Sequence, residues 1–134
     1  MTLARLVLVF CLAVFVSTTA LAADDPARLN TANRIYDRVF PDEAAMIDYV
    51  LPYVPNDNPN AKNTASDIIR RLGKGWLHDA FVSSLALAYT LPELEAYERF
   101  LATPEGLAVW RKTSQFDRAF NQLLEARMKV IGAI

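Results

Sequence analysis

The sequence predicts an all-α fold, a small bundle of about five to six short-to-medium helices following a signal peptide. Three observations carry this. Apolar residues recur at helical spacing through most of the chain, capping and stop residues punctuate it at short intervals, and no stretch alternates in the manner of a strand. The elements follow in chain order.

Residues 1–22 read as a cleavable secretory signal. Arg5 supplies the positive start, and the apolar run from Leu6 to Val16 is long enough to enter a translocation machinery. It falls short of the roughly 20 residues a stable span requires. Ser17 to Thr19 end the run, and Ala20-Leu21-Ala22 places small residues where a signal peptidase reads them, so cleavage falls after Ala22 or, one residue on, Ala23. A lipidated cysteine fits poorly, because Cys11 sits inside the apolar run behind bulky Phe10. Residues 23–134 remain as one helical domain, periplasmic or secreted, with no membrane span of its own.

Removal of the signal takes away the only cysteine and one positive charge. The mature chain then has no disulfide, no thiolate ligand and no cysteine nucleophile, so packing alone must stabilise it. The whole chain carries 14 basic and 15 acidic residues, a balance with no electrostatic footprint for nucleic acid.

Asp25 is placed to cap a first helix with Pro26 in its opening turn and a stripe of Leu29, Ala32, Tyr36, Val39 and Phe40. Pro41 turns the chain, and Ala45, Met46, Tyr49 and Val50 give the next helix its apolar face until Pro52. The proline- and asparagine-rich stretch from Pro55 to Asn63 is a loop, after which Thr64 is expected to cap a short helix closed by Gly73. Trp76, Leu77, Ala80, Phe81, Ser84, Leu85 and Ala88 mark a fourth helix with a thin polar face, which places it at the centre of the bundle.

Thr90 and Glu93 make a capping box, with Tyr89 and Leu94 as its hydrophobic staple, and Leu94, Tyr97, Phe100 and Leu101 form the stripe of a fifth helix. Thr103-Pro104-Glu105 repeats the stop-and-start chemistry. A last helix carries Leu107, Trp110, Phe116, Phe120, Leu123, Leu124, Met128 and Ile131, and the polar run from Arg111 to Gln115 leaves it exposed or kinked there.

The residues Tyr89, Thr90, Glu93, Leu94, Phe100, Thr103, Pro104 and Gly106 together resemble the exported bacterial proteins known as domain of unknown function 2059. The pattern is an aromatic, a hydroxyl cap, a glutamate three residues on, a branched apolar residue, a phenylalanine, and then Thr-Pro-x-Gly. The segment ending Val39-Phe40-Pro41 also looks like the first helix of such proteins. The resemblance implies an all-helical exported domain and brings no catalytic or cofactor residues with it.

Few residues suggest chemistry. His78 is the only histidine, and adjacent helical positions point about 100° apart, so it is not expected to pair with Asp79. With no second histidine and no mature cysteine, a metal site is not expected. Ser83 and Ser84 lack the strained turn of a nucleophile, Glu93 is occupied by its cap, and Glu95 and Glu98 lie on an exposed face. The Asn56 to Asn60 loop has one carboxylate and a proline, unlike a calcium loop, and Gly73-Lys74-Gly75 lacks the rest of a phosphate loop. No cofactor is expected.

The aromatic residues remain. Tyr49, Tyr53, Trp76 and His78 are the candidates for an apolar groove between the N-terminal hairpin and the fourth helix, which suits a non-enzymatic protein that binds an envelope protein or a small apolar ligand. Two other readings are an envelope hydrolase or lyase using His78, and a self-associating structural or assembly protein.

Overall fold

A computed structural model of the chain describes residues 25–132. The expected signal peptide and its cleavage site lie outside the described residues. Among those described, seven α-helices and one short 3-10 turn account for the architecture, and no strand is present. The helices are α1 (Pro26–Val39), α2 (Glu43–Val50), α3 (Ala61–Leu72), α4 (Lys74–Ala88), α5 (Leu91–Leu101), α6 (Pro104–Arg111) and α7 (Thr113–Val130), with the 3-10 turn over Leu51–Tyr53. No described helix is long and apolar enough to cross a membrane.

The all-α class is as the sequence predicts, and the additional helix has a simple origin. The expected last helix breaks at Lys112, whose backbone (φ −99°, ψ −4°) ends α6 and starts α7 within one residue. The polar run between Trp110 and Phe116 marks this kink.

Local capping sets most boundaries. The Asp25 carboxylate accepts from the Ala27 amide at 3.0 Å, and Asp42 accepts from Ala45 at 2.9 Å, each satisfying a donor that the first helical turn leaves unpaired. The capping box forms as expected, with the Thr90 amide donating to Glu93 at 2.8 Å. One boundary differs from expectation: α3 begins at Ala61, a turn before Thr64. The Asn58 side chain accepts from the Asn60 amide at 2.8 Å and donates to the Thr64 hydroxyl at 2.9 Å. That asparagine pins the turn, so the helix starts early and Thr64 sits inside it. Gly73, at φ +84°, is both the end of α3 and the start of α4, a backbone that side-chain-bearing residues rarely adopt.

The central element is α1 rather than the fourth helix. Helix α1 packs chiefly on α5 and on α4, and also touches α6. Its residues Ala32, Ile35, Tyr36 and Val39 are buried together with Val82 and Leu85 from α4, Leu94 and Leu101 from α5, and Trp110 from α6. Helix α4 buries only Val82, Leu85 and Ala86. Apolar character on nearly every side gave its sequence no direction, and much of that character faces a groove instead of a filled core. Phe100 likewise lies outside its helix's buried stripe, 44% exposed, because Leu94 and Leu101, seven residues or two turns apart, define the inward line.

Polar contacts tie the helices at their ends. The Arg28 guanidinium reaches the Ala86 carbonyl at the end of α4, at 3.4 Å, where a cation meets the negative helix terminus. Lys74 bonds Glu43 at 2.7 Å across α4 and α2. Arg34 grips Glu98 with two bonds of 2.7 and 3.0 Å, joining α1 to α5.

The grip of Arg34 holds the Glu98 carboxyl below its ordinary value of 4.5, and the Thr90 amide does the same for Glu93. A group whose folded pKa is depressed stabilises the fold above its unfolded value and loses that contribution as the pH falls through the folded one. Urea midpoints should therefore decline from about pH 5 downward. Glu98→Gln should flatten part of that slope; an unchanged slope in the variant would show that the contact carries no net coupling.

Candidate functional site

Three amphipathic stripes and one residue of a fourth helix meet without filling the space between them. Tyr36 comes from α1 and Phe40 is the residue that caps its C-terminal end, four positions on. Met46, Tyr49 and Val50 come from α2, Ile69 from α3, and Leu77, Ala80, Phe81 and Ser84 from α4. They enclose an open cavity of about 270 Å³. None of these side chains carries a charge at neutral pH. The Ser84 hydroxyl is already used, donating to the Ala80 carbonyl at 2.6 Å. Burial raises the Tyr49 and Tyr36 phenols above 10, so both stay neutral across the physiological range.

A ring cluster forms the floor. Phe40 lies 5.4 Å from Phe81 and 5.5 Å from Tyr49, both edge to face, and Tyr36 is 5.7 Å from Phe81. Behind them Trp110 touches Phe40 and Phe81 at 5.8 Å and stacks on Tyr49 at 5.4 Å with the ring planes 7° from parallel. These offset and T-shaped geometries are the favourable ones for aromatic pairs. They fix the rings, so the cavity wall is preformed.

On the other side of α2 lies a second cleft, of about 480 Å³, which shares Tyr49. Its walls differ in kind: they carry two cations, Arg38 and Arg111, and two anions, Asp42 and Asp48. Asp42 is committed to capping α2. The larger volume here mixes polar and apolar walls, whereas the smaller cavity concentrates apolar surface.

Of the four residues singled out from the sequence, one lines the cavity and three do not. Tyr49 lines the apolar cavity. Tyr53, in the 3-10 turn, is 52% exposed and meets Tyr49 at 6.4 Å, outside the cavity wall. Trp76 stands at the start of α4, 60% exposed and away from the wall. His78 packs edge-on against Tyr36 at 4.7 Å, next to the cavity but not part of its lining.

His78 also departs from expectation in one respect. Its Nδ1 lies 2.9 Å from the Asp79 carboxylate, so neighbours on one helix do meet here. Backbone vectors separate them, but rotation about the Asp79 side-chain bonds closes the gap at the exposed surface. Neither Ser83 nor Ser84 is hydrogen-bonded to this pair, and among the described residues no group of three or more potential ligands could hold a metal ion.

The residues that build the cavity, Phe40, Met46, Leu77 and Phe81 above all, read in the sequence as ordinary core. Their four-residue spacings, Tyr36 to Phe40 and Leu77 to Phe81, mark the stripes. Nothing in the spacing says that the stripes stop short of contact.

Comparison of the chain with protein-family models, with curated proteins and with solved structures finds no match.

Proposed function

We propose that this is an exported, non-enzymatic binding protein whose apolar cavity takes a small apolar ligand of one or two rings, or an aliphatic group of similar bulk. The cavity's composition carries the reading: uncharged walls from four helices around about 270 Å³. A dry site of about 150 Å³ already accommodates benzene, and ligand sites in general run from about 300 Å³ upward. The size suits a compact molecule better than a long chain.

Export rests on the N-terminal signal pattern and on the resemblance to domain of unknown function 2059, which also support a periplasmic or secreted location. No serine is hydrogen-bonded to the His78–Asp79 pair, so binding is favoured over hydrolysis.

Indole serves as the probe. Calorimetric titration should give one binding site per chain, and Ala80→Leu, which fills the cavity from α4, should weaken binding at least tenfold while leaving the unfolding midpoint no lower. Absence of binding to the wild type, or equal binding by the filled variant, would overturn the reading.

A further inference from the structure

Helix α7 sits on the body with the wrong side inward. Its buried contact is polar: Ser114 is 1% exposed, its hydroxyl without a partner among the described residues, and Arg118 donates to the Val54 carbonyl at 3.0 Å. Beside this contact, Phe116, Phe120, Leu123, Leu124, Met128 and Ile131 fall within about 140° of arc at 100° per residue, centred about 110° round the helix from Ser114. All but Met128 are exposed, Phe116 by 66% and Leu123 by 72%. Phe116 and Phe120 lie ring on ring, 6.0 Å apart and 5° from parallel, facing solvent. From Ala119 to Gly132 every residue but Met128 is exposed, so this part of the helix has little cover from the other described residues.

Two charges lie in the same stripe. Asp117, partly covered where α7 meets the body and near Tyr49 of α2, is towards its N-terminal end and exposed Arg127 towards its C-terminal end, and among the described residues neither has an ion-pair partner. Their placement selects the occupant. An antiparallel copy of the helix, related by a two-fold axis level with Gln122, sets Asp117 against Arg127 and Arg127 against Asp117. The same register sets Phe116 against Met128 and Phe120 against Leu124, pairing bulky with unbranched and aromatic with branched. A parallel two-fold arrangement would instead place Asp117 on Asp117 and Arg127 on Arg127. A lipid surface fits less well: such helices are rich in Lys and Arg on the polar face, whereas here Lys129 is bonded to Glu125 at 2.7 Å and Arg118 to the body.

We propose that α7 is the dimerisation element of this protein, pairing with α7 of a second copy in antiparallel, two-fold fashion. The interface is self-complementary, as a closed dimer requires, and runs about 22 Å at 1.5 Å per residue. It leaves the apolar cavity on another part of the molecule, so the two activities stand or fall separately.

Sedimentation velocity of the purified protein over a concentration series tests this. The wild type should form a dimer that dissociates on dilution. Phe120→Lys should be monomeric with unchanged helicity and melting, because that ring is 53% exposed and its aromatic partner, Phe116, lies on the same helix. Asp117→Arg and Arg127→Asp should each weaken dimerisation at least tenfold, and the double exchange should restore it. A wild type that is monomeric throughout overturns the proposal, as does a dimer that survives Phe120→Lys. Failure of the double exchange to rescue overturns the antiparallel register. Co-flotation of monomer with vesicles of anionic phospholipid, lost in Phe120→Lys, would assign the stripe to lipid instead.

Discussion

Replacing Gly106 by alanine is expected to cost about 3 kcal/mol of folding stability, the upper end of ordinary overpacking, from the addition of one methyl group. At this corner the end of α5 runs into the start of α6. A Cβ on Gly106 would lie 1.9 Å from the Phe100 carbonyl oxygen and 2.6 Å from its carbon. Backbone cannot swing aside as a side chain can. The oxygen is also held in place, accepting from the Thr103 hydroxyl at 2.7 Å and the Thr103 amide at 3.1 Å, while the same hydroxyl accepts from the Gly106 amide at 3.0 Å. The substitution therefore disturbs a cap and a close approach together. Urea unfolding at neutral pH measures it; a loss under about 1 kcal/mol, the worth of a cap alone, would mean that the two helices can part without consequence.

Truncating Trp110 to alanine is expected to be larger still, about 4 kcal/mol, in the range for a buried tryptophan in a packed core. The indole is 9% exposed and contacts Phe40 at the end of α1, Tyr49 of α2 and Phe81 of α4. Its loss removes the back of the cavity and joins it to the charged cleft beyond Tyr49. The melting temperature should drop by more than about 10 °C, and indole should bind more weakly even below that temperature. Trp110→Phe should retain most of the stability. If alanine proved nearly neutral, the ring cluster would not be the keystone that the geometry makes it.

Much of this fold was legible in the residues, and the limits of legibility have physical causes. Caps act locally, within three residues, so Asp25, Asp42, Thr90 and Thr103 announce their helices directly. The α3 start escaped because Asn58 acts across six residues to reach Thr64. Periodicity tells which side of a helix is apolar but not what lies opposite. For that reason α1 and α4 exchange the expected central position, and the apolar stripe of α7, which reads like core, faces outward. The role of Gly106 is of the same kind: its φ is unremarkable, and only the approach of Phe100 from another helix forbids a side chain there.

The candidate site divides similarly. Tyr49, singled out in the sequence as an aromatic one helical turn from Tyr53, is among the residues that line the cavity. Phe40 and Phe81 were not singled out, since a ring that lines a cavity and a ring that fills a core obey the same spacing. Whether three stripes close on one another or leave about 270 Å³ is decided by interhelical distances that no single stripe encodes.

The partnership of α1 with α5 has a consequence in time. Arg34 and Glu98 lie 64 residues apart, so this helical protein has a core that is not local in sequence. Chains are made at about 5–20 residues per second, and the apolar face of α1 therefore exists for several seconds before its cover is synthesised. During that interval α1 is an amphipathic segment in search of a surface, and whatever holds the chain unfolded must mask this helix first. Folding is accordingly a late event, governed by the arrival of α5 and the corner at Gly106 that fixes it, and helix formation alone cannot complete it.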